Sequence, residues 1–285
     1  MHDAIFQKIQ NELDLIEKTE DVHIIYACES GSRAWGFASE DSDYDVRFIY
    51  VRKTAWYLSL QKKRDVIEKP ISDSLDISGW DVSKALSLLG KSNPPLLEWL
   101  QSPIVYRKND GILAKIWGLM PDYYSPKSCM HHYLHMAHGN YRQYLQGDTV
   151  WVKKYFYVLR PVLACRWIES GYGIVPTEFD RLVEKTIQDE TLKKAVAALM
   201  AQKKAGNELD MGRRIPVISD FLDHELQRLS AGKGRTGISK NFETLDRVFL
   251  DILQEVNGKP HQQTDNWPLT PPAVKKVSPP NRNNT

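Results

Sequence analysis

The chain has little of what usually announces a compartment or a partner. Its 285 residues hold three cysteines, Cys28, Cys129 and Cys165. They are odd in number and far apart, and lack the paired spacing of a zinc site or a disulfide framework. They read as buried thiols in a reducing compartment. No run reaches the length and apolarity of a membrane span. The opening MHDAIFQKIQNELDLIEK mixes apolar and charged residues, so it lacks the apolar core of a secretory signal. The expectation is a cytoplasmic protein. Neither sign of charge is in surplus: 38 Lys and Arg face 36 Asp and Glu, a net charge of +2. That balance neither advertises nor forbids a nucleic-acid partner. No repeat of solenoid length appears. GKGRTG at 232–237 lacks the spacing and the preceding strand of a P-loop, and reads as a flexible loop.

What is present is an ordinary globular composition, 42% hydrophobic and 26% charged, enough for one large or two modest domains. Residues 3–18 carry Ile5, Ile9, Leu13 and Ile16 on one helical stripe. VHIIYAC (22–28) is a short apolar run and reads as a buried strand. A loop of small residues follows, then YDVRFIYV, which alternates as a second strand. DVIEK (65–69) and SLDISGW (74–80) are weaker strands, separated by Pro70. From Asp81 the pattern turns helical, through VSKALSLLGK and, after NPP, LLEWLQSPIVY. KNDG (108–111) is a turn signal. Beyond Pro126 apolar residues recur at three-to-four spacing almost to the end, and Ser219 reads as a cap within PVISDFLDHELQRLS. The last segment is rich in Pro and Asn, has no period, and reads as a disordered tail. The fold class is α+β. A mixed α/β domain with a small sheet is expected over 1–105, an all-helical domain over 106–256, and the tail over 257–285.

The chemistry gathers in GSRAWGFASEDSDYDVRFIYV (31–51). Side chains on a strand alternate with period two. Asp43, Asp45, Arg47 and Ile49 therefore share one face, and Tyr44, Val46, Phe48 and Tyr50 the other. Two carboxylates so close repel unless a cation joins them. A hard divalent ion such as Mg²⁺ takes oxygen ligands and removes the conflict. Two such ions about 3.5–4 Å apart can activate a hydroxyl and hold a triphosphate in line. A third acid would complete the set. Asp76 shares a face with Ser74 and Ser78, away from Leu75 and Ile77, and a neighbouring strand can bring it beside the pair. Asp81 competes, but it directly precedes VSKALSLL and suits an N-cap better. Gly31 permits a tight backbone approach. Exposed N–H groups there, the Ser32 hydroxyl and the charge of Arg33 can hold a phosphate, with a following helix offering its N-terminus.

Gly-Ser, then about ten residues, then Asp-x-Asp, then a third acid on a later strand resembles the nucleotidyltransferase superfamily typified by DNA polymerase beta. GSRAWGF, SDYDVRFIYV, LDISGWDVSKALSLLGKSNPPLLEWLQSPIVY and KKYFYVLRPVLACRWIE narrow the resemblance to the RNA-repair-associated RlaP or YcgL type, over about residues 25–170. The resemblance implies Gly31 and Ser32 as the phosphate-side motif, Asp43 and Asp45 as the metal pair, and Asp76 as the third carboxylate. It implies a nucleoside monophosphate moved from a nucleoside triphosphate (NTP) to an acceptor hydroxyl, with Mg²⁺, or Mn²⁺ in its place, and release of pyrophosphate. An RNA end, a protein or a small molecule remain open as acceptors. A binding module without turnover is the non-enzymatic alternative.

Lys153, Tyr157 and Arg160 fall at i, i+4 and i+7, with Lys154 beside them. Such a face would clamp a triphosphate and stack a base, or is simply long basic chains lying along a helix. His131, His135 and His138 share another helical face, which zinc could use. No carboxylate accompanies them nearby in sequence and Cys129 reads as a buried thiol, so a surface towards the cleft or nucleic acid fits better. Glu98 reads as a buried partner, and Trp35, Trp80 and Trp99 as core or cleft wall. Lys84 and Asn93 receive no chemical role.

Overall fold

A computed structural model of the chain describes residues 2–71, 74–206, 209–231 and 241–258. The GKGRTG segment, and the tail beyond residue 258, lie outside these residues.

Helix α1 (His2–Glu20) buries Ile9, Leu13 and Ile16 completely. Full burial of such a side chain is worth about 1.5–3 kcal/mol, so this one stripe anchors the helix. Asp21, at φ +50°, turns the chain into β1 (Val22–Glu29). A five-residue helix, α2 (Gly31–Trp35), and a loop lead to β2 (Tyr44–Arg52). Short α3 (Thr54–Tyr57) and β3 (Val66–Glu68) precede β4 (Leu75–Asp81). Asp81 caps α4 (Val82–Gly90) by accepting the Ser83 N–H, and Asn93 caps α5 (Pro94–Leu100) through the Leu96 N–H. β5 (Val105–Lys108) completes a five-stranded sheet of order β3-β4-β2-β1-β5.

The sheet is mixed. β2 runs parallel to β4, and the other pairings are antiparallel. One face, with Val46, Phe48, Tyr50, Leu75 and Ile77, packs on α1. The other face, with Ile25, Tyr26, Ile49 and Val51, packs on α4, α5 and the helical remainder in one continuous core.

That remainder starts with α6 (Asp110–Gly118) and α7 (Met120–Tyr123). Then come α8 (Pro126–Tyr144), β6 (Thr149–Trp151), α9 (Lys154–Glu169), α10 (Phe179–Thr186) and α11 (Glu190–Lys204). β7 (Met211–Arg213), α12 (Pro216–Ala231) and α13 (Glu243–Asn257) finish it. α9 is buried nearly all round, as a central helix must be. It packs against α8, α10 and α12.

Several local expectations change. IVY, which follows LLEWLQSP, leaves the helix and pairs with β1 as β5, so residue 105 falls inside a strand of the sheet. β6 and β7 form a two-stranded ribbon within the part expected to be all-helical. KNDG is less a turn than a helix start, since Asn109 caps α6. Ser219 caps nothing: α12 begins three residues earlier at Pro216, and the buried Ser219 hydroxyl pairs with the Tyr155 hydroxyl at 2.6 Å.

Candidate active site

β2 sets the site. Its parallel register places Asp45 directly opposite Asp76 of β4, and adjacent strands lie about 4.7–4.9 Å apart. Both carboxylates leave the sheet on the same side, because Val46, Leu75 and Ile77 turn the other way into the α1 core. Arg47, two residues along from Asp45, reaches both. Its guanidinium donates to Asp45 Oδ1 at 3.1 Å and to Asp76 Oδ2 at 2.7 Å. It also donates to the Asp76 carbonyl at 3.0 Å. The cation that reconciles the two acids in this structure is thus a guanidinium from the same strand.

Asp43 lies exposed just before β2. The Asp45 carboxyl is held above its ordinary pKa by burial first, opposed by Arg47, and then by the neighbouring charges of Asp76 and Asp43. Asp45 therefore feels both of the other acids. All are hard oxygen donors of the kind a divalent cation takes. Among the described residues no group of three or more His, Cys, Asp or Glu is already arranged around a metal-sized space. Arg47 fills the position between two of the acids.

The loop over the acids is tied down by backbone. Gly31 has φ +57°, and a Cβ there would lie 2.0 Å from Asp45 Oδ2. Only glycine allows this approach in this backbone conformation. The Ser30 N–H donates to the Asp45 carbonyl at 2.8 Å, and the Asp45 N–H donates to Glu29 Oε1 at 2.8 Å. Glu29 is fully buried, and burial pushes its carboxyl up to about 7 against the hydroxyl donated by Tyr106. Ser32 sits in α2, partly buried beside Gly31.

The helical part supplies the opposite wall. Lys153, exposed at the start of α9, is near enough to pull the Asp45 pKa down. The Tyr157 pKa is raised by burial and then by Asp45. Its ring stands edge-on to Trp35 at 5.7 Å. Lys154 lies over the rings of Tyr144 and Tyr157 at 4.4 and 4.5 Å. Lys203, near the end of α11, donates to the Ser39 hydroxyl at 3.2 Å. Its pKa is lowered by burial and then by Lys153, while Asp41 and Asp43 oppose the shift. Three acids of the first half, Asp41, Asp43 and Asp45, thus meet two ammonium groups of the second.

Two expected residues stand elsewhere. Arg33 turns away from the acids. It stacks on Tyr44 at 3.7 Å and donates to the carbonyls of Asp43 and Ser42 at 3.2 and 2.5 Å, pinning the loop into β2. Arg160 is only 2% exposed and is consumed by Glu98 and the carbonyls of Pro176 and Thr177. α9 is buried on that side too, so the face shared with Lys153 and Tyr157 does not stay open for its whole length. Glu98 also accepts from the Tyr133 hydroxyl at 3.1 Å. Trp80 and Trp99 stack at 3.8 Å in the core. Lys84 pairs with Asp65 at 2.9 Å. Cys28, Cys129 and Cys165 are all buried free thiols. Among the described residues no helix is long and apolar enough to cross a membrane.

Arg47, Glu29 and Lys203 belong to the site without having been singled out. Arg47 was visible on the acidic face of β2. Glu29, an acid ending an apolar run, was a weaker sign. Lys203, 158 residues downstream of Asp45, carried none.

A family model described as RlaP, RNA repair pathway DNA polymerase beta family, matches residues 5–251. Uncharacterized protein YcgL of Bacillus subtilis (strain 168) is 48% identical over 252 residues, covering 88% of this chain and 97% of that protein. The crystal structure of a nucleotidyltransferase-like protein from Exiguobacterium sibiricum 255-15 aligns over 87% of this chain and 88% of its own. That alignment has 12% identity and a TM-score of 0.32, too loose to add to the family match.

Proposed function

The chain belongs to the RNA repair pathway DNA polymerase beta family, and from that premise we propose that it is a nucleotidyltransferase. An acceptor hydroxyl oxygen attacks the α-phosphorus of a nucleoside triphosphate. The bond from that phosphorus to the bridging oxygen of the β-phosphate breaks, pyrophosphate leaves, and the hydroxyl proton passes to solvent. The observation that carries this reading is the register of Asp45 against Asp76 beneath the Gly31 backbone, with Lys153 facing them.

Asp43, Asp45 and Asp76 would hold Mg²⁺ or Mn²⁺, and Arg47 would yield its place between the acids. When bound, such a cation lowers the pKa of the acceptor hydroxyl and neutralises charge on the triphosphate. The chain's own part is positioning. Gly31 brings backbone N–H groups and Ser32 close to the acids, where a phosphate can lie. Lys153 and Lys203 set positive charge opposite, where the pyrophosphate builds up negative charge. Tyr157 and Trp35 offer ring faces to a base. In this division of labour residues up to about 105 do the chemistry and the helical part closes the cleft. The family description favours an RNA end as acceptor. A protein or small-molecule hydroxyl is the second choice, and a nucleotide- or RNA-binding module without turnover the third.

The test is incubation with each labelled nucleoside triphosphate, Mg²⁺ or Mn²⁺, and a mixture of RNA, DNA and the protein itself. Label is expected in RNA, and Asp43→Ala or Asp45→Ala should each cut transfer by at least about a hundredfold without unfolding the chain. Near wild-type transfer by either variant defeats the assignment. No pyrophosphate release with any nucleotide would leave the binding module.

A further inference from the structure

Helix α8 carries no Asp or Glu in nineteen residues, although acids make up 36 of the 285 and about two would be expected. In their place Lys127, His131, His135, His138 and Arg142 recur at steps of four, four, three and four. That is one face of a helix, about 22 Å long at 1.5 Å per residue. Lys127, His131, His135 and Arg142 are exposed. From His131 to Arg142 the row borders two hollows between α8 and α12, of about 280 and 630 Å³, which share His138, Arg142 and Ser230, and Lys127 extends the same face one turn further. His138 Nε2 lies 2.8 Å from the Ser230 hydroxyl.

The acids across the groove are already matched. Asp223 pairs with Arg214 at 2.9 Å and accepts from Tyr141. Glu225 pairs with Arg228 at 2.8 Å. The Ser230 hydroxyl donates to the Leu226 carbonyl at 2.7 Å and is taken up, so the face offers the cations of Lys127 and Arg142 and the exposed imidazoles of His131 and His135, with little free negative charge. Zinc does not explain it, since no metal-capable group of three exists among the described residues. Nor is it a core face, because the buried residues of α8 are Cys129, Tyr133, Leu134 and Ala137.

We infer that the α8–α12 groove binds the phosphodiester backbone of a nucleic-acid strand. Repeating donors along a helix suit repeating phosphates, whereas a single small anion would need a focus that this row lacks. Backbone contacts of this type position a strand without reading its sequence. The proposal rests on the transferase reading for the purpose of the strand, but its binding is measured separately.

The full chain is titrated by fluorescence anisotropy with labelled single-stranded RNA and DNA of about 12 nucleotides, without nucleotide or divalent cation. Lys127→Gln/Arg142→Gln should weaken binding at least tenfold. It should also flatten the slope of log affinity against log salt by about 1.4, two phosphate contacts at about 0.7 each. His131→Gln/His135→Gln should weaken binding with a smaller change in slope. A fluorescent nucleoside triphosphate should bind both variants as it binds the wild type. Preference for RNA identifies an RNA strand, and equal binding of the two identifies the shared phosphodiester backbone; both support the groove. Wild-type affinity in both double variants overturns it, whatever the transfer assay shows. So does stronger binding of poly-glutamate than of either oligonucleotide, which would make the groove a surface for acidic protein. Loss of transfer in Asp45→Ala with strand binding intact would keep the two conclusions apart.

Discussion

At the residue scale, Arg47 is the side chain on which the site's electrostatics turn. It is 17% exposed and engages two carboxylates that are themselves about one-third exposed. Hydrogen bonds to charged groups contribute about 1.5–3 kcal/mol each, less where water screens them. Arg47→Met leaves Asp45 and Asp76 facing each other with no cation between them. In EDTA the variant should lose about 1–3 kcal/mol of stability in urea denaturation. Mn²⁺ should then stabilise the variant more than the wild type, because no guanidinium has to be displaced. Equal stability of the two proteins in EDTA would show that Arg47 is not the partner of these acids. The same-face spacing of Asp43, Asp45 and Arg47 follows from strand geometry, so Arg47 was legible as a neighbour. Its role was not, because that needs the distance to Asp76.

At the scale of elements, the junction of β1 and β2 carries the site. Glu29 ends β1 in full burial and holds the Asp45 N–H, so the position of Asp45 depends on an acid that never meets solvent. Its pKa is raised from 4.5 to about 7, chiefly by burial, which disfavours the ionised form in the folded chain. A raised folded pKa gives stability that is complete below pH 4.5 and is lost as the pH climbs through about 7. Glu29→Gln removes that dependence. The stability of the wild type relative to Glu29→Gln should fall by about 2–3 kcal/mol between pH 5 and pH 8, followed by urea denaturation. A flat difference across that range would mean that Glu29 ionises as it does in water. The elements themselves were largely legible. Alternation marked β2 and β4, the three-to-four stripe marked α1, and Asp81 stood where a cap belongs. β5 was not legible, since four residues with exposed ends carry almost no pattern and are defined by pairing with β1.

At the scale of the whole molecule, the helical part is joined to α5, which packs on β1 of the sheet, by a buried ion pair. Arg160 of α9 meets Glu98 of α5 with both side chains largely out of water. Removing one partner of such a pair strands the other charge, at a cost of about 3–5 kcal/mol. Glu98→Ala should therefore destabilise the chain by that amount in urea denaturation. Glu98→Met with Arg160→Met should cost much less, because neither charge is left unpaired. A mild effect of Glu98→Ala alone would mean that the carbonyls of Pro176 and Thr177 suffice for Arg160. α13 adds to the closure by returning to pack on α4 and α6.

The sequence by itself determined the two faces of β2, the acidic pair with its glycine loop, the cap at Asp81 and the helical run beyond residue 126. Each of these follows from backbone geometry that repeats within a few residues, so a local pattern is enough. Only the tertiary structure decided that Asp76 lies opposite Asp45, that Arg47 spans them, that Lys203 comes up to Asp41 and Asp43, and that Arg160 is buried instead of facing a ligand. Those outcomes depend on strand register and helix packing between residues tens to more than a hundred positions apart. Register and packing are settled by burial of the whole core, and no short stretch of residues contains that information.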